Sequence, residues 1–100
     1  MIVKFRTKKL EKAYSEFKYA FKEYGDKIGK KYIQRINIIK ATQSLDELKK
    51  LPGLRCHPLK GSRAGQYAVN LNGFYRLIFT IEDGKLNIVT IEEVSKHYDD

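Results

Sequence analysis

The stretch YAVNLNGFYRLIFTI, Tyr67–Ile81, decides the fold. Tyr67, Val69 and Leu71 alternate with Ala68, Asn70 and Asn72, the period of a strand with one buried face. Asn72-Gly73 then predicts a two-residue hairpin, because a type I′ turn needs positive φ at both central positions. Phe74–Ile81 is the returning strand. Asp83-Gly84 marks a second hairpin, and Leu86, Ile88 and Val89–Ile91 supply a third strand. The expectation is a three-stranded antiparallel meander. The polar tail Glu92–Asp100 (EEVSKHYDD) should lie near the end of its last strand.

Upstream the period lengthens. Leu10, Tyr14, Phe17 and Phe21, joined by Ala13, Ala20 and Tyr24, form one apolar stripe of an amphipathic helix. Gly25 can end it in a left-handed conformation, and Asp26 can cap the next helix. Ile28, Tyr32, Ile36 and Ile39 are the stripe of that second helix, so the pair should form an antiparallel hairpin. Ser44-Leu-Asp-Glu47 is a capping-box pattern that opens a short helical turn, which Pro52-Gly53 ends. Residues 54–65 (LRCHPLKGSRAG) read as an ordered loop, and MIVKFR at the start reads as a first strand whose neighbour stays open. A β-α-α-β-β-β order implies an α+β fold, with an N-terminal strand and a helical hairpin packed on a small antiparallel sheet. One hundred residues suit a single domain, 1–100.

The net charge of +8 points to a polyanionic partner. Its distribution is uneven. Residues 1–50 carry 14 basic and 6 acidic side chains, and residues 51–100 carry 6 of each. Leu48–Ile81 contains no Asp or Glu, yet holds Lys49, Lys50, Arg55, His57, Lys60, Arg63 and Arg76. The lysines of the two helices lie mostly off the apolar stripes, as on an ordinary solvated face. Cys56 is the single cysteine, which rules out an internal disulfide and suggests a small packed hydrophobe. Met1–Lys9 lacks the apolar core of a signal peptide, and no run approaches the roughly 20 apolar residues of a membrane span. A cytoplasmic location is expected.

Several chemistries lack their residues. There is no GxxxxGK[ST] and no GxGxxG. One Cys and two distant His do not make a standard zinc site, and Glu92, Glu93, Asp99 and Asp100 have no ligand spacing. No cofactor or metal is expected. What remains is Arg55, His57, Lys60, Arg63, Tyr75 and Arg76, with His97 and Tyr98 from the tail. RNA cleavage needs little more: a base for the 2′-OH, cations for the phosphorane, and an acid for the leaving 5′-oxygen. Histidine titrates in the right range, and the arginine fork grips two phosphate oxygens. Each residue also has an ordinary reading. Arg76 can be a solvent-side strand residue, His57 and Lys60 loop residues, and His97 a surface histidine. Alone, these features describe a basic α+β domain that binds nucleic acid.

The ordered run Ser44-Leu-Asp-Glu-Leu48, Leu51-Pro-Gly-Leu-Arg55, His57-Pro-Leu-Lys-Gly61, Arg63-Ala-Gly-Gln-Tyr67, Val69-Asn-Leu-Asn-Gly73, Tyr75-Arg76 and Ile78-Phe79 resembles the HigB branch of the RelE/ParE toxins. The match is close over residues 44–81. The resemblance implies ribosome-dependent cleavage of mRNA in the A site and a HigA-like helix-turn-helix antitoxin, with operator DNA reached only through that antitoxin. It implies that Arg76 and Lys60 hold the scissile phosphate, that His57 and His97 transfer protons, and that Tyr75 and Tyr98 stack on or orient a base. Arg55, Arg63 and the lysine-rich helices would contact ribosomal RNA phosphates. The chain departs from the branch at its end, commonly V-x-I-x-D-Y-H. Val89-Thr-Ile91 matches, Glu93 stands for Asp, and Val94-Ser95 replace Tyr-His, so His97 would take the terminal-histidine role. Tyr75 stands where Trp is usual. Two rivals stay open: a ParE-like toxin that inhibits DNA gyrase without cutting RNA, and a toxin-derived domain that only binds its antitoxin or operator DNA. The His57–Gly61 segment and a C-terminal histidine favour the nuclease.

Overall fold

In a computed structural model, residues 1–82 and 87–96 are described. The elements are β1 (Ile2–Phe5), α1 (Lys8–Ser15), α2 (Phe17–Tyr24), α3 (Asp26–Ala41), α4 (Leu45–Lys50), β2 (His57–Pro58), a 3-10 turn (Gly61–Arg63), β3 (Tyr67–Asn70), β4 (Tyr75–Glu82) and β5 (Ile88–Lys96). One five-stranded sheet runs β1-β5-β4-β3-β2. The expected meander is its centre, with β3–β4 and β4–β5 antiparallel. β1 pairs with β5 in parallel, Val3 opposite Val89 and Phe5 opposite Ile91. A parallel pair needs a long crossover, and the helices of the intervening chain provide one. The loop expected over 54–65 contains β2, which pairs with β3, and the 3-10 turn.

The core lies between the helices and one face of the sheet. Leu77 and Phe79 of β4, Val69 of β3, and Val89 and Ile91 of β5 have no exposed surface. They meet Ile28, Tyr32, Ile36 and Ile39, so the stripe read from the sequence is the buried face of α3. Each such side chain contributes roughly 1.5–3 kcal/mol by leaving water. The Tyr32 hydroxyl donates to the Leu10 carbonyl at 2.6 Å, which satisfies the one polar atom that this ring buries. Burial pushes its pKa far above the usual tyrosine value.

Four local expectations change. The first helix is broken at Glu16, which takes extended angles (φ −129°, ψ 108°) between α1 and α2. Ser15 Oγ donates to the Glu11 carbonyl at 2.8 Å, a back-bond that bends helices. The stripe is therefore not continuous: Phe17 and Phe21 stay 66% and 36% exposed, while Ala20 is buried. Ala20 touches α3 at Gly29, where an added Cβ would stand 2.9 Å from the Ala20 carbonyl oxygen. Second, Gly25 (φ +84°) occupies the cap position between α2 and α3, and Asp26 is the first helical residue with no side-chain cap bond. Third, among the described residues only Arg55 has positive φ without being glycine, so Asn72 does not make a type I′ turn. Gly73 alone takes the left-handed conformation (φ +56°), and Tyr75 N–H closes the turn on the Asn72 carbonyl at 3.0 Å. Fourth, the tail is strand as far as Lys96. The capping box is half formed: Ser44 Oγ accepts from Glu47 N–H at 3.2 Å, but the Glu47 carboxylate accepts from Gln43 N–H at 3.4 Å. Asp83-Gly84 and Leu86 lie outside the described residues. Among the described residues no helix is long and apolar enough to cross a membrane.

Candidate active site

Paired residues on neighbouring strands share a face, and successive residues alternate. The register therefore sorts the polar groups. Val69, Leu77 and Val94 form a row on the core side. The next rows, His57–Ala68–Ile78–Glu93 and Asn70–Arg76–Ser95, face the other way. The basic, acid-free segment thus lays its chemistry on the sheet face away from the helices.

Arg76 is the anchor. It sits on the central strand, only 8% exposed, and its Nη1 donates to the Gly73 and Tyr75 carbonyls at 3.1 Å each. These bonds hold the guanidinium against the hairpin end and compensate for its burial. Asn70, its cross-strand neighbour, has a buried Oδ1 with no hydrogen-bond partner among the described residues. The Asn70 backbone is itself tied down: its N–H donates to the Leu54 carbonyl at 2.7 Å, and its carbonyl accepts from Arg35 Nε at 2.9 Å. Burial lowers the Arg35 pKa from its ordinary value. Neither Asn70 nor Arg35 was read from the sequence as part of a site; an Asn two places before Asn72-Gly73 looks like a turn residue.

His57 lies two strands from Arg76 and two residues out of register with it, since its row crosses β4 at Ile78; normal strand spacing and rise put the two backbones roughly 12 Å apart. The His57 Nδ1 is 2.7 Å from the Arg55 carbonyl oxygen. In the neutral ring that contact puts the proton on Nδ1, and Nε2, the ring's other nitrogen, is buried. Arg55 presents that carbonyl from a left-handed conformation (φ +50°), which costs about 1 kcal/mol or more in a non-glycine residue. The Arg55 side chain is exposed.

A bulge in β5 brings carboxylates to the same face. Ile78 pairs with Glu93 and Phe79 with Ile91, so Glu92 is the extra residue. Glu92 accepts from Thr80 Oγ1 at 3.0 Å and lies 3.5 Å from Arg6 Nε. Glu93 pairs with Arg63 at 2.6 Å, and Arg63 also donates to Gln66 at 3.1 Å. The Arg63 guanidinium, expected to reach RNA, is engaged within the protein. Lys60 is exposed, at the start of the 3-10 turn, in a loop closed by Leu59 N–H on the Gln66 carbonyl at 2.8 Å. Tyr75 pairs with Lys96, on the opposite face from Arg76, and its ring lines a separate cleft beside Phe74. His97 and Tyr98 lie outside the described residues. The Cys56 thiol is pushed up to about 11 by burial, with Lys49 opposing, so it stays protonated and unreactive. The structure thus gathers Arg76, His57, Arg63 and Glu93 on one face, sets Lys60 on the adjoining loop, and separates Tyr75 from them.

The same fold occurs in solved toxins. The YoeB/ParE toxin from Agrobacterium tumefaciens superposes with a TM-score of 0.65 at 14% identity, over 98% of this chain and 100% of that one. YafQ from E. coli strain BL21(DE3) gives 0.65 at 17%, over 94% and 90%. YoeB in the YoeB-YefM complex from Staphylococcus aureus gives 0.58 at 21%, over 98% of each chain. At such identities the likeness concerns the fold. A search of curated proteins finds no match. The sequence itself matches, over residues 3–93, the family described as RelE-like toxin of type II toxin-antitoxin system HigB. With nine-tenths of its length in that match and the RelE-type sheet beneath its basic face, the chain belongs to the HigB-like family of RelE-like type II toxins.

Proposed function

We propose that the chain, acting as one domain in the cytoplasm, is a ribosome-dependent endoribonuclease that cuts mRNA in the A site. The observation that carries this reading is the nearly buried Arg76, its guanidinium pinned to a backbone carbonyl, sharing a sheet face with a histidine whose tautomer is set by a backbone carbonyl. His57 is the candidate base that removes the proton from a ribose 2′-OH, a step that requires RNA binding to uncover its buried Nε2. The 2′-oxygen bonds to phosphorus, the bond from phosphorus to the 5′-oxygen breaks, and that oxygen takes a proton from an acid. The products are a 2′,3′-cyclic phosphate and a 5′-hydroxyl. Arg76 and Lys60 stabilise the extra charge on the phosphorane. His97 is the candidate acid, and Tyr98 is the candidate to orient a base. Such a set has few strong acids and bases, so the ribosome supplies alignment of the strand. Arg55 and the exposed lysines contact ribosomal RNA through phosphates.

An antitoxin partner fits the family, and a fold relative is known in complex with YefM. For this chain the partner is a HigA-like helix-turn-helix protein, acidic where it meets a toxin of net charge +8. The test is primer extension on a translated message, with naked RNA and a gyrase supercoiling assay alongside. New 5′ ends only when ribosomes are present support the reading. Equal cutting of naked RNA, or gyrase inhibition without new ends, defeats it.

A further inference from the structure

Two adjoining cavities run along the side of the protein, between the outer face of α3 and the β3–β4 hairpin. One, about 350 Å³, is lined by Lys27, Lys30, Lys31, Gln34 and Asn72. The other, about 580 Å³, shares Lys27 and Asn72 and continues past Phe74 and Tyr75 to Lys96. The two form one groove. Asp26 is its only carboxylate among the lining residues.

The lysines are placed against the helix's own interest. Lys27, Lys30, Lys31 and Gln34 fall at i, i+3, i+4 and i+7, one face of α3. Residues 27–41 contain no acid, and none of the three lysines forms an ion pair among the described residues. Like charges at this spacing destabilise a helix by a few tenths of a kcal/mol per pair. A polyanion in the groove would reverse that sign. At the far end the groove offers aromatic surface: Tyr75 on its wall, with Lys96 Nζ 5.8 Å from the ring centroid, and Phe74, 51% exposed, at the hairpin tip. A cationic track ending on stackable rings is the construction that binds single strands without reading sequence. The track also meets the candidate active site. Gly73 and Tyr75 line the groove, and their carbonyls hold Arg76 on the other side of the hairpin.

We infer that this groove is the path of the single-stranded RNA flanking the scissile phosphate: the strand crosses the hairpin tip from Arg76, stacks on Phe74 or Tyr75, and runs its phosphates along Lys27, Lys30 and Lys31. The inference rests on the RNA-cleaving reading of the sheet face, but its test does not need cleavage. The probe is a 2′-O-methyl RNA 12-mer, which has no attacking hydroxyl, with binding read by fluorescence anisotropy across a salt series. Lys30→Glu/Lys31→Glu should weaken binding by about tenfold or more, and two lost phosphate contacts should reduce the log–log salt slope by about 1.4. Lys30→Gln/Lys31→Gln should show the slope change with a smaller loss of affinity. Phe74→Ala should weaken binding and leave the slope unchanged. Lys8→Glu/Lys9→Glu on α1, the same charge change at residues that do not line the groove, should cost 12-mer binding about threefold or less through net charge alone. Circular dichroism confirms the fold of each variant. Equal losses for the two charge reversals overturn the groove. So does unchanged RNA binding in Lys30→Glu/Lys31→Glu together with weakened binding of the cognate antitoxin, which would make this a protein-docking face. If the ribosomal cleavage assay fails while the 12-mer binds as described, the nuclease reading falls and the groove stands.

Discussion

Arg76→Ala separates chemistry from architecture at the centre of the proposed site. Wild-type Arg76 is 8% exposed as a residue, and its guanidinium donates to two hairpin carbonyls at 3.1 Å. Removing it has two effects. Loss of one preorganised donor to a phosphorane costs about 100–1,000-fold in rate, or roughly 2.7–4 kcal/mol. Loss of its charge-assisted hydrogen bonds costs about 1.5–3 kcal/mol of stability. For a chain of this size each kcal/mol lowers Tm by about 4–8 °C, so a fall on the order of 10 °C is expected. A 100-residue domain holds about 5–15 kcal/mol, so the variant stays folded at 25 °C. Arg76→Lys keeps a charge without the fork and should lie between wild type and alanine. The assay is single-turnover cleavage on programmed ribosomes, with circular dichroism melts on the same preparations. A folded Arg76→Ala that cuts within about threefold of wild type, under 1 kcal/mol of barrier, would reduce Arg76 to a strut of the hairpin and refute the reasoning.

Other outcomes follow from the same geometry. Lys60→Ala should cost only about tenfold, because an exposed loop ammonium is less preorganised than Arg76; a loss exceeding that of Arg76→Ala on the ribosome would invert this order. His57→Gln should lower the single-turnover rate by about 100-fold or more, while His97→Gln does the same if the tail supplies the acid; wild-type rates in both variants remove histidine from the chemistry. Gly29→Ala should destabilise by about 1–3 kcal/mol despite a helix-propensity gain of up to about 1 kcal/mol, because the new Cβ meets the Ala20 backbone oxygen at 2.9 Å, and a Tm equal to or above wild type would contradict that packing. Burial holds Cys56 up at about 11 and Tyr24 at about 12, from ordinary values of 9.0 and 10.0. Above those ordinary values the unfolded chain loses protons that the folded chain keeps, so stability should be flat below about pH 9 and fall as pH rises through the shifted values; equal urea midpoints at about pH 8 and about pH 10.5 would refute this.

The elements of the fold, and many of the residues now proposed for the site, follow from local patterns. Period two from Tyr67 to Ile81 gave the central strands, and the Ile28–Ile39 stripe gave the buried face of α3, because alternation and helical spacing record which side a residue buries. The ordered run from Ser44 to Phe79 was enough to point to the HigB branch. What depended on distant partners was not legible. The parallel pairing of β1 with β5 joins residues more than 80 positions apart, and no local pattern encodes it. The bulge that turns both Glu92 and Glu93 to one face exists only in the register against β4. The split at Glu16 reflects a competing Ser15 back-bond and the fit of Ala20 against Gly29, both invisible to a stripe of apolar residues. Tyr75 and Arg76 are adjacent in the chain and were grouped as one site; the pleat sends them to opposite faces, one to a groove and one to the candidate catalytic surface. Sequence supplies the chemical groups and their local geometry, whereas the meeting of groups far apart in the chain is decided by packing and strand register, which depend on the whole fold at once.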